Sequence, residues 1–150
     1  MNKQDRADFF EVGDKTALIC ADPNTNEAIK VTLDSLGFKF HTPETPEFAI
    51  ERMRYNNYDC VVVHENFAGS SLRSNAVLNY LSRLPMAQRR NSFVCLVGTF
   101  KTLDAMQAFA ESVHLVLNPS DLPNFGPILK KGLSDFESLY RAFKETIAAL

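Results

Sequence analysis

Four short stretches end in residues able to do chemistry: Cys20-Ala21-Asp22, His64-Glu65-Asn66, Gly98-Thr99 and Asn118-Pro119. Asp22 and Glu65 supply carboxylates, the hard oxygen ligands that Mg²⁺ takes. His64 supplies an imidazole that titrates near neutrality, suited to hydrogen bonding, pH sensing or ligand contact. No partner ligand set for a metal accompanies it. Cys20, Cys60 and Cys95 are odd in number and widely spaced, and none falls in a CxxC or Cys/His ligand pattern. Each sits inside an apolar run, which predicts buried thiols behaving as small hydrophobes. The chain has no GxGxxG, P-loop, GxSxG or HExxH. No enzymatic constellation, metal or cofactor is therefore expected.

The elements that must position these residues follow from hydrophobic patterning. "TALICA" (16–21), "DCVVVH" (59–64), "FVCLVG" (93–98) and "HLVLNP" (114–119) are continuous apolar runs, as in strands buried on both faces. "FKFHT" (38–42) alternates like a half-buried edge strand. Between the strands lie helical patterns. One starts at Asp22-Pro23, carries Ile29, Leu33 and Leu36 on one face and stops at Gly37. A second starts at Thr45-Pro46, with Ala49, Ile50 and Met53 inward. "NAVLNYLSRL" turns Ala76, Val77, Tyr80, Leu81 and Leu84 inward. "TLDAMQAFAESV" turns Leu103, Met106, Phe109, Ala110 and Val113 inward. From about Leu122 the chain reads as helix to its end. Strict β/α alternation predicts a doubly wound (βα)5 fold of the α/β class, a five-stranded parallel sheet with helices on both faces. In such sheets, sites form at the carboxyl ends of the strands, where the four reactive stretches lie.

Composition narrows the function classes. The 150 residues are 45% hydrophobic and 23% charged, with a formal net charge of -2, so no global field draws in nucleic acid or an anionic membrane. No apolar run spans a bilayer, and the polar start lacks a signal-peptide core. A cytoplasmic protein is expected, without nucleic-acid or membrane partners. Arg83, Arg89 and Arg90 gather in "SRLPMAQRRNS", either a solvated loop or a small docking patch.

The order and spacing of "ADP", "SLGF", "YDCVVVH", Gly69, "FVCLVGT" and "HLVLNP" resemble a response-regulator receiver domain. The resemblance implies a strand order of 2-1-3-4-5, an acidic pair after the first strand that holds Mg²⁺ and an acceptor Asp after the third. It also implies a Thr or Ser on the fourth and a Lys before the fifth-strand proline. Here the acidic pair aligns with Cys20 and Ala21, leaving Asp22 next. The acceptor aligns with His64, the hydroxyl with Gly98 beside Thr99, and the lysine with Asn118. A shift of one residue would put Glu65 at the acceptor position, where a fixed carboxylate would mimic a permanently activated state. The expectation is a degenerate, non-phosphorylated receiver acting through protein–protein contacts in bacterial signal transduction. Its output surface would be the helices after the fourth and fifth strands. The alternative is a sensor of a small ligand held in the remodelled pocket of Cys20, Ala21 and Gly98.

Leu129, Leu133, Phe136, Tyr140, Phe143, Ile147 and Leu150 step by 4, 3, 4, 3, 4 and 3 residues, an a/d seam over three heptads. At about 1.5 Å per residue, the part after Ser134 adds roughly 24 Å beyond the sheet. The expected organisation is a polar leader over 1–14, a receiver-like domain over 15–134 and a helical extension over 135–150. The extension either folds back, on the domain or on "DFFEV", or docks a partner protein or a second copy as a homodimer. Its aromatic content favours packing on an irregular surface.

Overall fold

The continuous apolar runs become five parallel strands: β1 (Lys15–Cys20), β2 (Phe38–His41), β3 (Cys60–His64), β4 (Phe93–Val97) and β5 (Leu115–Leu117). Their order is β2-β1-β3-β4-β5, as the resemblance implies. The computed structural model describes residues 10–149. Positions 1–9 of the expected leader, and Leu150 of the seam, lie outside the described residues.

The two-residue period of a strand divides the apolar side chains between two cores. Ala17, Ile19, Ala21, Val62, Cys95 and Val97 face one side. There Ile29 and Leu33 of α1 (Pro23–Ser35) and Phe125 and Leu129 of the last helix cover them. Leu18, Cys20, Val61, Val63 and Leu96 face the other. They lie under Ala49 of α2 (Pro46–Tyr55), Val77 and Leu81 of α3 (Ala76–Arg83), and Ala108 of α5 (Ala105–Ala110). A one-turn helix, α4 (Met86–Arg89), interrupts the stretch between α3 and β4. Thr45 caps α2 through Phe48 N at 3.2 Å, whereas the Asp22 carboxylate makes no cap bond to α1.

Two helix faces differ from expectation. In α3, Leu78 is buried and Ala76 is exposed, with Tyr80 only half-buried. The Asn75 side chain caps Val77 and Leu78 N, both at 3.1 Å, and so sets which face meets the sheet. The larger correction is α5. Leu103, Met106 and Phe109 are exposed, the last two 78% and 83%, and Ala110 is exposed too. Ala108 faces the core instead, and Val113 packs against it as expected, partly buried. The reason lies before the helix. Leu103 takes a left-handed φ of 67° and donates its N–H to Val116 O at 3.0 Å. That bond closes the open edge of β5, and α5 starts only afterwards, capped by Asp104.

A 3₁₀ turn over Pro119–Asn124 precedes α6 (Phe125–Ala149), which runs without a break through Ser134 and Asp135. Leu129 belongs to the core, and Leu133 and Phe136 pack against it. Further on, Phe136 meets Phe93 and His114 edge-on, with centroids at 5.6 and 4.8 Å. The Tyr140 hydroxyl reaches Asn91 Oδ1 at 3.3 Å, and Arg90 lies 4.0 Å over the Phe143 ring. The aromatic part of the extension thus folds on this chain's own surface. Phe10 is not its partner: Phe10 stacks on His41 at 4.2 Å, against the other core.

Candidate functional site at the carboxyl ends of the strands

Parallel register brings the four reactive stretches together. Val63 stands beside Cys20, His64 beside Val97 and Val97 beside Leu117. Residues immediately beyond these pairs therefore crowd at one end of the sheet.

The first-strand positions carry no polar chemistry. Cys20 is fully buried in one core and Ala21 is buried in the other. Burial pushes the Cys20 thiol well above its usual range, so it remains neutral. Asp22 is exposed and makes no cap bond. The other thiols are equally inert: burial, reinforced by Asp59, pushes Cys60 up to about 12, and burial raises Cys95 as well. Among the described residues, no three His, Cys, Asp or Glu side chains converge to hold a metal.

His64 is half-buried, and its Nδ1 accepts from the Asn66 N–H at 3.1 Å. Neither Asp22 nor Glu65 pairs with it. The residue turned inward is Glu65, which is buried. Its Oε1 accepts from Thr99 N at 2.9 Å and from Thr99 Oγ1 at 3.0 Å. No Lys or Arg pairs with Glu65 among the described residues. The Glu65 side chain crosses the position of Gly98. A Cβ added at Gly98 would lie 2.5 Å from Glu65 Cδ and 2.7 Å from a Phe100 ring carbon. Continuing the ladder would place 65 beside 98, and the Glu65 side chain lies across the space that a side chain at 98 would take. The volume released by Gly98 is thereby filled from within the chain. Glu65 and Thr99 each stand one residue past the aligned acceptor and hydroxyl positions.

Asn118 is fully engaged. Its Nδ2 donates to Phe100 O at 2.9 Å, and its Oδ1 accepts from Ser120 N and Oγ at 3.0 and 2.9 Å. It joins the loop after β4 to the turn before α6 and brings no positive charge.

The sequence reading missed Asn75. It is buried, and its Nδ2 donates to His64 O at 3.0 Å and Glu65 O at 3.2 Å while its Oδ1 caps α3. It fixes the chain as it leaves β3. The available signal was an Asn standing immediately before a helical apolar pattern. The loop between them turns tightly through left-handed Ala68 and Gly69, with φ of 56° and 77°.

No protein-family model matches this chain, and no curated protein does. Solved structures do match. A CheY-like response-regulator receiver domain from Methylobacillus flagellatus is 28% identical, with a TM-score of 0.60 over 80% of this chain and 99% of its own. The signal receiver domain of a LuxO repressor protein from Vibrio parahaemolyticus reaches a TM-score of 0.63 at 12% identity, covering 86% and 97%. A response regulator from Thermotoga maritima reaches 0.62 at 18% identity, covering 81% and 98%. The chain has the receiver fold, and the likeness reaches nearly the full length of these domains.

Proposed function

We propose that this chain is a receiver-like signalling module of the two-component type that works without phosphorylation and acts by protein–protein contact. The bond between the Glu65 carboxylate and the Thr99 amide and hydroxyl carries the reading. It links the ends of β3 and β4 without a phosphoryl group, where a phosphorylated receiver would make such a link through one. The surroundings support it. Cys20 and Ala21 offer Mg²⁺ no ligand, His64 no acceptor carboxylate, and Asn118 no cation to offset phosphoryl charge. A bacterial, cytoplasmic setting follows from the same reading, as does the absence of catalysis.

The proposed output surface is formed by α5 and α6, which flank the edge strand β5. Met106 and Phe109 stand exposed there, and Ile147 extends the apolar face of the distal α6 towards a partner protein or a second copy. The test uses ¹H–¹⁵N spectra of the full chain with Mg²⁺ and either acetyl phosphate or beryllofluoride. No site-specific change is expected at Cys20, His64 or Gly98. Saturable shifts confined to those amides would sink the proposal. Sedimentation of the full chain beside Ile147→Glu reads whether the distal helix assembles copies.

A further inference from the structure

Leu129, Leu133, Phe136, Tyr140, Phe143 and Ile147 recur every three or four residues along α6, the seam that two helices need to pair. In this chain the middle of that seam is already taken. Phe136 packs on Phe93 and His114, Tyr140 bonds Asn91, and Arg90 lies over the Phe143 ring. The fit is incomplete. A half-open cavity of about 400 Å³ remains between the distal helix and the stretch joining α3 to β4, with Met86, Leu139 and Phe143 in its walls. Leu139 and Ile147 stay 72% and 53% exposed. Gly132 lies between the fully buried Leu129 and this exposed half. A Cβ there would lie 2.9 Å from Phe93 Cζ, so glycine lets α6 close on β4. Glycine also weakens a helix interior, which makes this the place for α6 to bend or fray.

We propose that the docked distal helix is an autoinhibitory strap, hiding a seam through which two copies of this chain pair as antiparallel helices. The inference rests on the reading that the distal helix serves protein–protein contact. A side chain cannot pack on its own domain and inside a helix pair at once, so docking and pairing through Phe136, Tyr140 and Phe143 exclude each other. The charge pattern commits the occupant to a second copy and sets its direction. With position 140 opposite 143 of the second copy, and 136 opposite 147, the flanking position 137 of each helix comes beside position 144 of the other. Those positions hold Glu and Lys. The antiparallel pair therefore gains two opposite-charge contacts related by its two-fold axis. A parallel pair would set position 139, a leucine, beside 144 and gain none. The paired stretch offers a face roughly 17 Å long and about 10 Å wide. That is well under the roughly 800 Å² per partner of a stable complex, so the pair is weak enough for docking within one chain to hold it off.

The test is sedimentation of the full chain at rising concentration, beside variants that loosen the strap or alter the pair. Arg90→Ala removes the cation from Phe143 without touching the seam. Loss of one cation–π contact should shift the balance of docked and released helix about two- to fivefold. Both copies must release, so association should tighten about five- to thirtyfold. In dilute samples, amide hydrogen exchange at 137–147 should quicken about two- to fivefold while that at 93–97 stays unchanged. Glu137→Lys or Lys144→Glu alone should weaken the Arg90→Ala dimer about tenfold, and the double reversal should restore it to within about threefold. Association left unchanged or weakened by Arg90→Ala would overturn the proposal, because pairing would then need no release. So would single reversals that the double reversal does not rescue, or a chain that stays monomeric with and without Arg90. That last result would leave phosphorylation-independent contact with another protein standing, which the acetyl phosphate and beryllofluoride spectra test separately.

Discussion

Substituting Gly98 by alanine tests the geometry that seats Glu65 against Thr99. The new Cβ would meet Glu65 Cδ at 2.5 Å, Glu65 Cγ at 2.8 Å and Phe100 Cε2 at 2.7 Å. Carbon atoms in contact prefer about 3.5–4.0 Å, so all three are severe overlaps. Relief requires Glu65 to leave, which breaks two bonds to Thr99. Overpacking typically costs about 1–3 kcal/mol. Hydrogen bonds to a charged group contribute about 1.5–3 kcal/mol, partly recovered here because Thr99 can turn to water. Gly98→Ala should therefore destabilise by about 2–4 kcal/mol, and Glu65→Ala by about 1–3 kcal/mol. With Glu65 already shortened, Gly98→Ala should cost under about 1 kcal/mol, leaving only the Phe100 contact to relieve. The cycle should show a coupling of about 1.5–3 kcal/mol. Urea unfolding followed by circular dichroism measures it, with unchanged m-values as the control. For a chain of this length, Tm should fall about 2–4 °C for each kcal/mol. Effects additive to within about 0.5 kcal/mol would refute the reasoning, because Glu65 would then not occupy the space at Gly98.

Leu129→Ala, at a fully buried site in the core, should cost about 2–5 kcal/mol in the same unfolding assay. A thiol-specific chromophore should find Cys20, Cys60 and Cys95 unreactive in the native chain and all three reactive in denaturant, since burial holds each thiol neutral. His114 sets a pH dependence. Its folded pKa lies at about 4, below the ordinary 6.5, through burial of the ring and then the Arg89 charge. The residue as a whole remains exposed, but the ring itself is stacked on Phe93 and abuts Phe136, so the direction of the shift stands. The unfolded chain binds the proton more readily. The stabilisation is thus fully present above pH 6.5 and is lost as pH falls towards about 4. His114→Gln should flatten that part of the stability profile.

The sheet was legible because burial on both faces demands continuous apolar runs, and runs of that kind at 16–21, 59–64, 93–98 and 114–119 admit few other arrangements. The alternation with helices then required a parallel sheet covered on both faces, and the resemblance to receiver domains supplied the strand order that the fold has. Residue types alone also showed that Cys20, Ala21 and Asn118 bring neither hard oxygen ligands nor a cation. The face of α5 was not legible. Met106 and Phe109 have helical spacing, but a backbone bond from Leu103 to the edge of β5 decides where the helix starts and that they point to solvent. The heptad of α6 likewise could not distinguish a partner from the chain's own surface, because Phe93, His114 and Arg90 are distant in sequence and adjacent only after folding. The same holds at the strand ends. The sequence by itself determined which residue types stand at the strand ends, a thiol at Cys20, a methyl at Ala21 and an uncharged amide at Asn118, a matter of side-chain chemistry. Only the tertiary structure decided that Glu65, rather than His64, turns inward to Thr99, because that follows from strand register and from the absence of a side chain at Gly98.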